Sequence, residues 1–269
     1  MPTPTPTPTT NVKDANYILA FEDRKKTDPE LAAGFMEGDM IFNPIARNAW
    51  RDDSFRWPNQ TVYYKFFDKF SDAHRNQILR AMQIIQSVSC VRFKEMTTRD
   101  DNTFVNITNL KGACFSRVGF QRQSVLQLNL ETAPVGKGCY RLGTILHEFM
   151  HTLGFFHMQS SSNRDDYVRI IWRNIKKSDH VNFLKLPKSL ADDFDQEYDY
   201  NSILHYSAYA FSNNGGKTIV PLRANKYGNE VIGQRSQLSR GDIRRLNIMY
   251  RCPIKIRRSD QAYNFAKLF

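Results

Sequence analysis

Apolar positions along this chain follow two periods, and these divide it into helices and strands. Ile78, Leu79, Met82, Ile85 and Val88 recur at helical spacing, so a helix is predicted to about Ser89 with Ser71 as its N-cap. Thr61–Phe66 is a run of β-branched and aromatic residues entered from a turn at Trp57-Pro58-Asn59-Gln60, and reads as a strand. Val91–Lys94, Phe104–Thr108 and Val125–Leu130 read the same way. Leu142–Leu153 is predicted as a second long helix. Val168–Phe183 is expected to be a helix or an irregular surface segment. Ser239-Arg240-Gly241-Asp242 is an N-cap with a partner three residues on, opening a last helix through Met249. Asp28-Pro29-Glu30-Leu31 could begin a short helix.

The totals agree with a folded chain. Of 269 residues 41% are hydrophobic, enough for one sizeable domain plus a smaller segment and too many for a disordered protein. No run of about eighteen apolar residues occurs, so no membrane span is expected. Met1–Thr10 is a Pro-Thr repeat, which can hold neither helix nor sheet ladders and is expected to be an extended tail. The N-terminus lacks the apolar core of a secretion signal, which is expected to have been removed or to precede Met1.

Cysteine and charge narrow the class. Cys90, Cys114, Cys139 and Cys252 are widely spaced with no C-x-x-C, which favours two disulfides and an oxidising compartment over four buried thiols. Asn59-Gln60-Thr61 and Asn106-Ile107-Thr108 are glycosylation acceptor patterns. Formal net charge is +11; residues 1–47 hold five Lys/Arg against seven Asp/Glu, and the remainder 33 against 20. The basic residues are scattered and no stacked-aromatic motif lies among them, so no specific nucleic-acid partner is expected. They read as a solvated surface with a bias towards acidic substrates.

The chemistry lies in His147-Glu148-Phe149-Met150-His151-Thr152-Leu153-Gly154-Phe155-Phe156-His157. Histidines four apart on a helix share one face and can reach one metal ion. Glu148, beside the first of them, can take a proton from a metal-bound water. Gly154 allows a left-handed exit from the helix that can bring His157 round as third ligand. Three protein ligands with an open fourth position suit a catalytic zinc ion, and three of the six histidines fall in this stretch. The longer pattern is the metzincin signature. It argues against a thermolysin-like site, whose third ligand is a distant glutamate.

From about Asn48 to Cys252 the chain resembles the astacin family of secreted zinc endopeptidases. The resemblance rests on His147–His157 with Asn163-Arg164-Asp165-Asp166-Tyr167-Val168, on Tyr198-Asp199-Tyr200-Asn201-Ser202-Ile203-Leu204-His205-Tyr206, on the four cysteines, and on Ile232-Gly233-Gln234-Arg235 with Leu238-Ser239. It implies an α+β fold of two subdomains, with a mixed twisted sheet, an active-site helix, a C-terminal helix and a cleft between the halves. It implies the disulfides Cys90–Cys252 and Cys114–Cys139. It implies one zinc ion per chain, Glu148 as general base, and Tyr206 as a labile fifth ligand that swings off the metal to stabilise the oxyanion. Cys114-Phe115-Ser116-Arg117-Val118 becomes the cleft's edge strand, on which an extended protein or peptide substrate pairs. Arg235 is expected to line the pocket after the cleaved bond and favour acidic residues there.

Family precursors carry a Phe-x-Gly-Asp motif whose aspartate binds the zinc. Met36-Glu37-Gly38-Asp39 matches it except at the first position, which makes Asp39 the candidate latency ligand. The implied organisation is a tail at 1–10, a propeptide at 11–47, a peptidase domain at 48–255 and a tail at 256–269. Cleavage near Arg47–Asn48 suits a trypsin-like activator, and a secreted monomer is expected. Leu204 stands where the family's turn has methionine, a swap of similar volume that the site is expected to survive. Met158 stands where the family has a glutamate that meets the mature N-terminus. Ser161 and Asn163 replace an arginine and an aspartate, and a looser loop after His157 is expected. The alternative function is a catalytically inactive, secreted, astacin-like binding protein.

Overall fold

The structure is a computed structural model, and it describes residues 28–42, 56–96, 103–122, 124–188, 192–223 and 232–253. The Pro-Thr repeat, the expected cleavage region at Arg47–Asn48 and the tail 256–269 lie outside these residues. The strands are β1 (Met40–Ile41), β2 (Thr61–Phe66), β3 (Arg92–Glu95), β4 (Phe104–Thr108), β5 (Cys114–Arg117), β6 (Val125–Leu130), β7 (Val168–Ile170) and β8 (Ile219–Pro221). The helices are α1 (Asp72–Val88), α2 (Leu142–Thr152) and α3 (Arg240–Met249).

Six strands form one mixed sheet in the order β1-β5-β6-β4-β2-β3. β5 pairs antiparallel with β6, and every other pair is parallel. Helix α1 begins where the Ser71 side chain accepts the His74 amide hydrogen, and it buries Ile78, Ala81, Met82 and Ile85. These residues share a core with Val105, Ile107, Leu126 and Leu128 of the sheet and with Ile145, Leu146 and Phe149 of α2. Helix α2 is buried along nearly its whole length, so its polar side chains can only face partners inside the protein. Trp57 fastens the helix end, donating its indole N–H to the Thr152 carbonyl at 2.9 Å.

The second half packs around a separate core of Val168, Ile175, Phe183, Tyr198, Tyr200, Tyr206 and Ile219. Here the expectation for Val168–Phe183 is corrected. The stretch opens with β7, which pairs antiparallel with β8, and continues as 3-10 turns at Trp172–Asn174 and Lys177–Phe183. Val168 and Phe183 are buried rather than at the surface. The partner strand lies some fifty residues further on, so no local periodicity announces it.

Disulfides join Cys90 to Cys252 across 162 residues and Cys114 to Cys139 across 25. Closing loops of those lengths removes roughly 5 and 3.5 kcal/mol of unfolded-chain entropy. The first clamps the end of α1 to the exit of α3. The second ties β5 to the turn ahead of α2.

Candidate metal centre

Helix α2 sets His147 and His151 one turn apart, with their Nε2 atoms separated by 3.0 Å. The helix then ends in a paired closure: the Gly154 amide donates to the His151 carbonyl and the Phe155 amide to the Met150 carbonyl. Gly154 has φ +100°, so its conformation calls for glycine, whereas a Cβ there would meet only the flexible end of Met249. This reversal delivers His157, whose Nε2 stands 3.3 Å from that of His147. Asp39 completes the group from the N-terminal segment. Its Oδ2 is 3.0 Å from His147 Nε2, and its Oδ1 is 3.6 and 3.5 Å from those of His151 and His157.

The donor set fits a small divalent cation. His147 Nδ1 lies 2.8 Å from the Ile203 carbonyl and His151 Nδ1 2.7 Å from the Phe155 carbonyl. A carbonyl only accepts, so these nitrogens carry the protons and the Nε2 lone pairs face inward. These two Nε2 atoms, His157 Nε2 and the Asp39 carboxylate lie within 4.8 Å of one another, a buried donor set that a cation among them would satisfy. Ligands of a tetrahedral zinc at about 2.0–2.1 Å stand about 3.3–3.4 Å apart, close to the spacings here. Asp39 Oδ1 and both oxygens of Glu148 are buried acceptors with no hydrogen-bond partner, as expected of groups aimed at an ion or its water.

Charge in the bare pocket follows from burial. Burial pushes His147 and His151 well below the usual imidazole range; the charge of Arg235 adds to it at His147, and those of His157 and Arg235 at His151. Burial also raises Glu148 well above the carboxylate range, with Asp39 and Glu30 reinforcing it. Burial would raise Asp39 too, but the imidazoles of His157 and His147 outweigh it and hold the group low.

Tyr206 is buried beside His157, ring centroids 4.8 Å apart, and its hydroxyl donates to the Glu37 carbonyl at 2.5 Å. The turn that carries it is fixed from α3. The Asp242 carboxylate accepts from Ser202 Oγ and from the Ile203 amide while also boxing the N-terminus of α3 with Ser239.

The N-terminal segment lies along the edge of the sheet. Met40 and Ile41 pair in parallel with Ser116 and Arg117, and the Phe35 ring sits edge-on to Phe115 at 4.7 Å. Further back, Glu30 is buried between two cations. Its Oε1 is 2.5 Å from Arg235 Nε, and its Oε2 is 3.5 Å from Arg141, which also faces Asp28 at 3.7 Å.

A family model for the astacin peptidases matches residues 49–251. The chain belongs to the astacin family. It is 46% identical over 230 residues to seminal metalloprotease 1 of Drosophila melanogaster, covering 84% of this chain and 90% of that protein. It is 34% identical over 223 residues to the human meprin A subunit beta, covering 82% of this chain and 30% of the meprin. Among solved structures it resembles high choriolytic enzyme 1, a hatching-enzyme zinc protease of the medaka fish, with a TM-score of 0.66 and 33% identity over 75% of this chain and 97% of that one. This astacin-family chain is a zinc metalloendopeptidase.

Several residues that set this astacin-family chain apart have clear surroundings. Leu204 is buried in the same core as α1 and the sheet, and its carbonyl accepts from the Met158 amide at 3.1 Å. The loop after His157 carries its own hydrogen bonds at these departing positions. Ser161 Oγ donates to Asn163 Oδ1 at 2.8 Å, and buried Arg164 donates to the carbonyls of Gln159 and Phe183. Asn59 is exposed on a turn, whereas Asn106 lies in the interior strand β4 with its Oδ1 buried. Sequence reasoning missed the contacts of Glu37, Glu30 and Arg141, and read Asp242 only as the capping partner of Ser239. The acidic balance of residues 1–47 against a basic remainder was the available signal for the Glu30 contacts.

Proposed function

We propose that this protein is a secreted endopeptidase made as a latent precursor, in which residues 28–42 belong to a propeptide that closes the active site with Asp39. The observation that carries this reading is the Asp39 carboxylate, fully buried between the three histidines at 3.0–3.6 Å. His147, His151 and His157 would hold the zinc ion. When bound, zinc acidifies a water molecule and polarises the scissile carbonyl. Glu148 takes the water's proton and returns it to the leaving amine. Tyr206 donates to the developing oxyanion. In the latent form its hydroxyl is engaged by the Glu37 carbonyl, a peptide carbonyl standing where a substrate's would.

Substrate pairs as an extended strand with Cys114, Phe115 and Ser116 once the propeptide has left that edge. Arg235 favours an acidic residue after the cleaved bond. Glu30 supports this, because the propeptide itself fills the position with a carboxylate. Cleavage near Arg47 by a trypsin-like protease would open the site. Secretion is supported by the two disulfides, and Asn59 is the better placed of the two glycan acceptors.

Zinc content and casein hydrolysis, before and after limited tryptic treatment, test the reading. One zinc per chain throughout, with activity appearing only after treatment, is expected. Asp39→Ala should hydrolyse casein without treatment. A silent, untreated Asp39→Ala protein that holds zinc would rule out Asp39 as the blocking group.

A further inference from the structure

The outer nitrogens of the three histidines are held unequally. Those of His147 and His151 rest on the carbonyls of Ile203 and Phe155, both in the body of the peptidase. That of His157 rests on the carboxylate of Glu37, with Nδ1 2.9 Å from Oε2. Glu37 belongs to the segment that carries Asp39. Both Glu37 and His157 are buried, so water does not share the contact.

The local backbone is shaped for it. Glu37 has φ +51°, in the left-handed region that non-glycine residues seldom enter. Phe35 and Gly38 close the turn around it with reciprocal amide-to-carbonyl bonds of 3.2 and 3.0 Å. That turn aims the Glu37 side chain at His157 and its carbonyl at Tyr206, while Asp39 reaches the three Nε2 atoms.

We infer that Glu37 is a second hold on the metal centre, a positioning residue that fixes the ring of His157 and through it strengthens zinc retention in the precursor. It acts on the ligand, and Asp39 acts at the ion's open position. A carboxylate accepting the outer N–H of a ligating histidine fixes its tautomer and raises its basicity, and loss of such a partner costs about 10–100-fold in metal affinity. Release of the segment therefore removes two supports together. The processed enzyme holds its zinc more weakly than the precursor, by more than the loss of Asp39 accounts for.

This inference rests on the propeptide reading, and the test separates the two. Zinc affinity is measured by competition with a chromophoric chelator on the full-length, unprocessed chain. Glu37→Ala should weaken zinc by about 10–100-fold, and Glu37→Gln, which keeps the length but not the charge, should fall between it and the wild type. After tryptic removal of the segment, all three proteins should have equal zinc affinity and equal casein hydrolysis. That equality also shows that the variants fold. Wild-type affinity in unprocessed Glu37→Ala, alongside an Asp39→Ala protein that is active untreated, would overturn the role of Glu37 and leave the propeptide reading standing. Silence of Asp39→Ala would remove the propeptide reading itself.

Discussion

Asp242 accepts the amide hydrogen of Ile203 at 2.8 Å across 39 residues of sequence. The carbonyl of the same Ile203 holds the outer nitrogen of His147. A carboxylate at the start of α3 thus sets one candidate metal ligand through one residue of the turn below it. Asp242 also accepts from Ser202 Oγ at 2.6 Å and from the Ser239 amide at 2.9 Å. Asp242→Ala leaves these buried donors unpaired and removes the helix cap, at a cost of about 2–4 kcal/mol. The urea midpoint should fall accordingly, and kcat with it, because Tyr206 lies three residues after Ile203. An unchanged midpoint would mean that the turn is held by other contacts.

In the proposed mechanism Glu148 and Tyr206 act on the reaction and not on metal retention. Glu148→Gln should lower kcat by at least about 10²–10⁴ in the processed enzyme while zinc stoichiometry stays at one. Tyr206→Phe should lower kcat by about 10²–10³ with KM within a few-fold. Loss of zinc from Glu148→Gln would instead make that residue a ligand.

Arg235 has two expected readouts. In the full-length chain its removal leaves Glu30 buried without its closest cation and the His205 carbonyl without its donor at 3.0 Å. Breaking a buried pair from one side costs about 3–5 kcal/mol, so unprocessed Arg235→Ala should melt earlier. In the processed enzyme the same change should abolish the preference for an acidic residue after the cleaved bond in a peptide-library assay. Retention of that preference would place the recognition elsewhere.

Metal removal should expose an opposed pH dependence. In the metal-free full-length chain burial disfavours the charged form of His157, but Asp39 and Glu37 outweigh it and push the group up to about 9 from 6.5. Stability from that proton is whole below about 6.5 and is lost as pH rises through about 9. His147 and His151 are pushed well below 6.5 by burial, so they weaken the fold as pH falls below that value. Thermal melts of the chelated full-length chain should fall as pH rises above 6.5, while below it the loss from His147 and His151 is opposed by the raised carboxyls of Glu148 and Glu37, which gain stability as pH falls. Restored zinc should flatten the alkaline fall. A chelated protein more stable at pH 9 than at 6.5 would contradict the assignment of His157.

The amino-acid order alone determined what depends on near neighbours. The period of α1, the four-residue step from His147 to His151 and the capping box at Ser239 are all set within one or two turns of chain. Gly154 was equally legible, because only glycine readily adopts the turn that returns His157. Tertiary structure decided what depends on residues far apart. Glu30 reaches Arg235 across 205 positions and Glu37 reaches His157 across 120. The two-residue strand β1 exists only because Ser116 and Arg117 offer it an open edge. No periodicity links such partners. What selects them is the cost of burying a charge or a backbone amide unpaired, which arises only once the chain has folded around them.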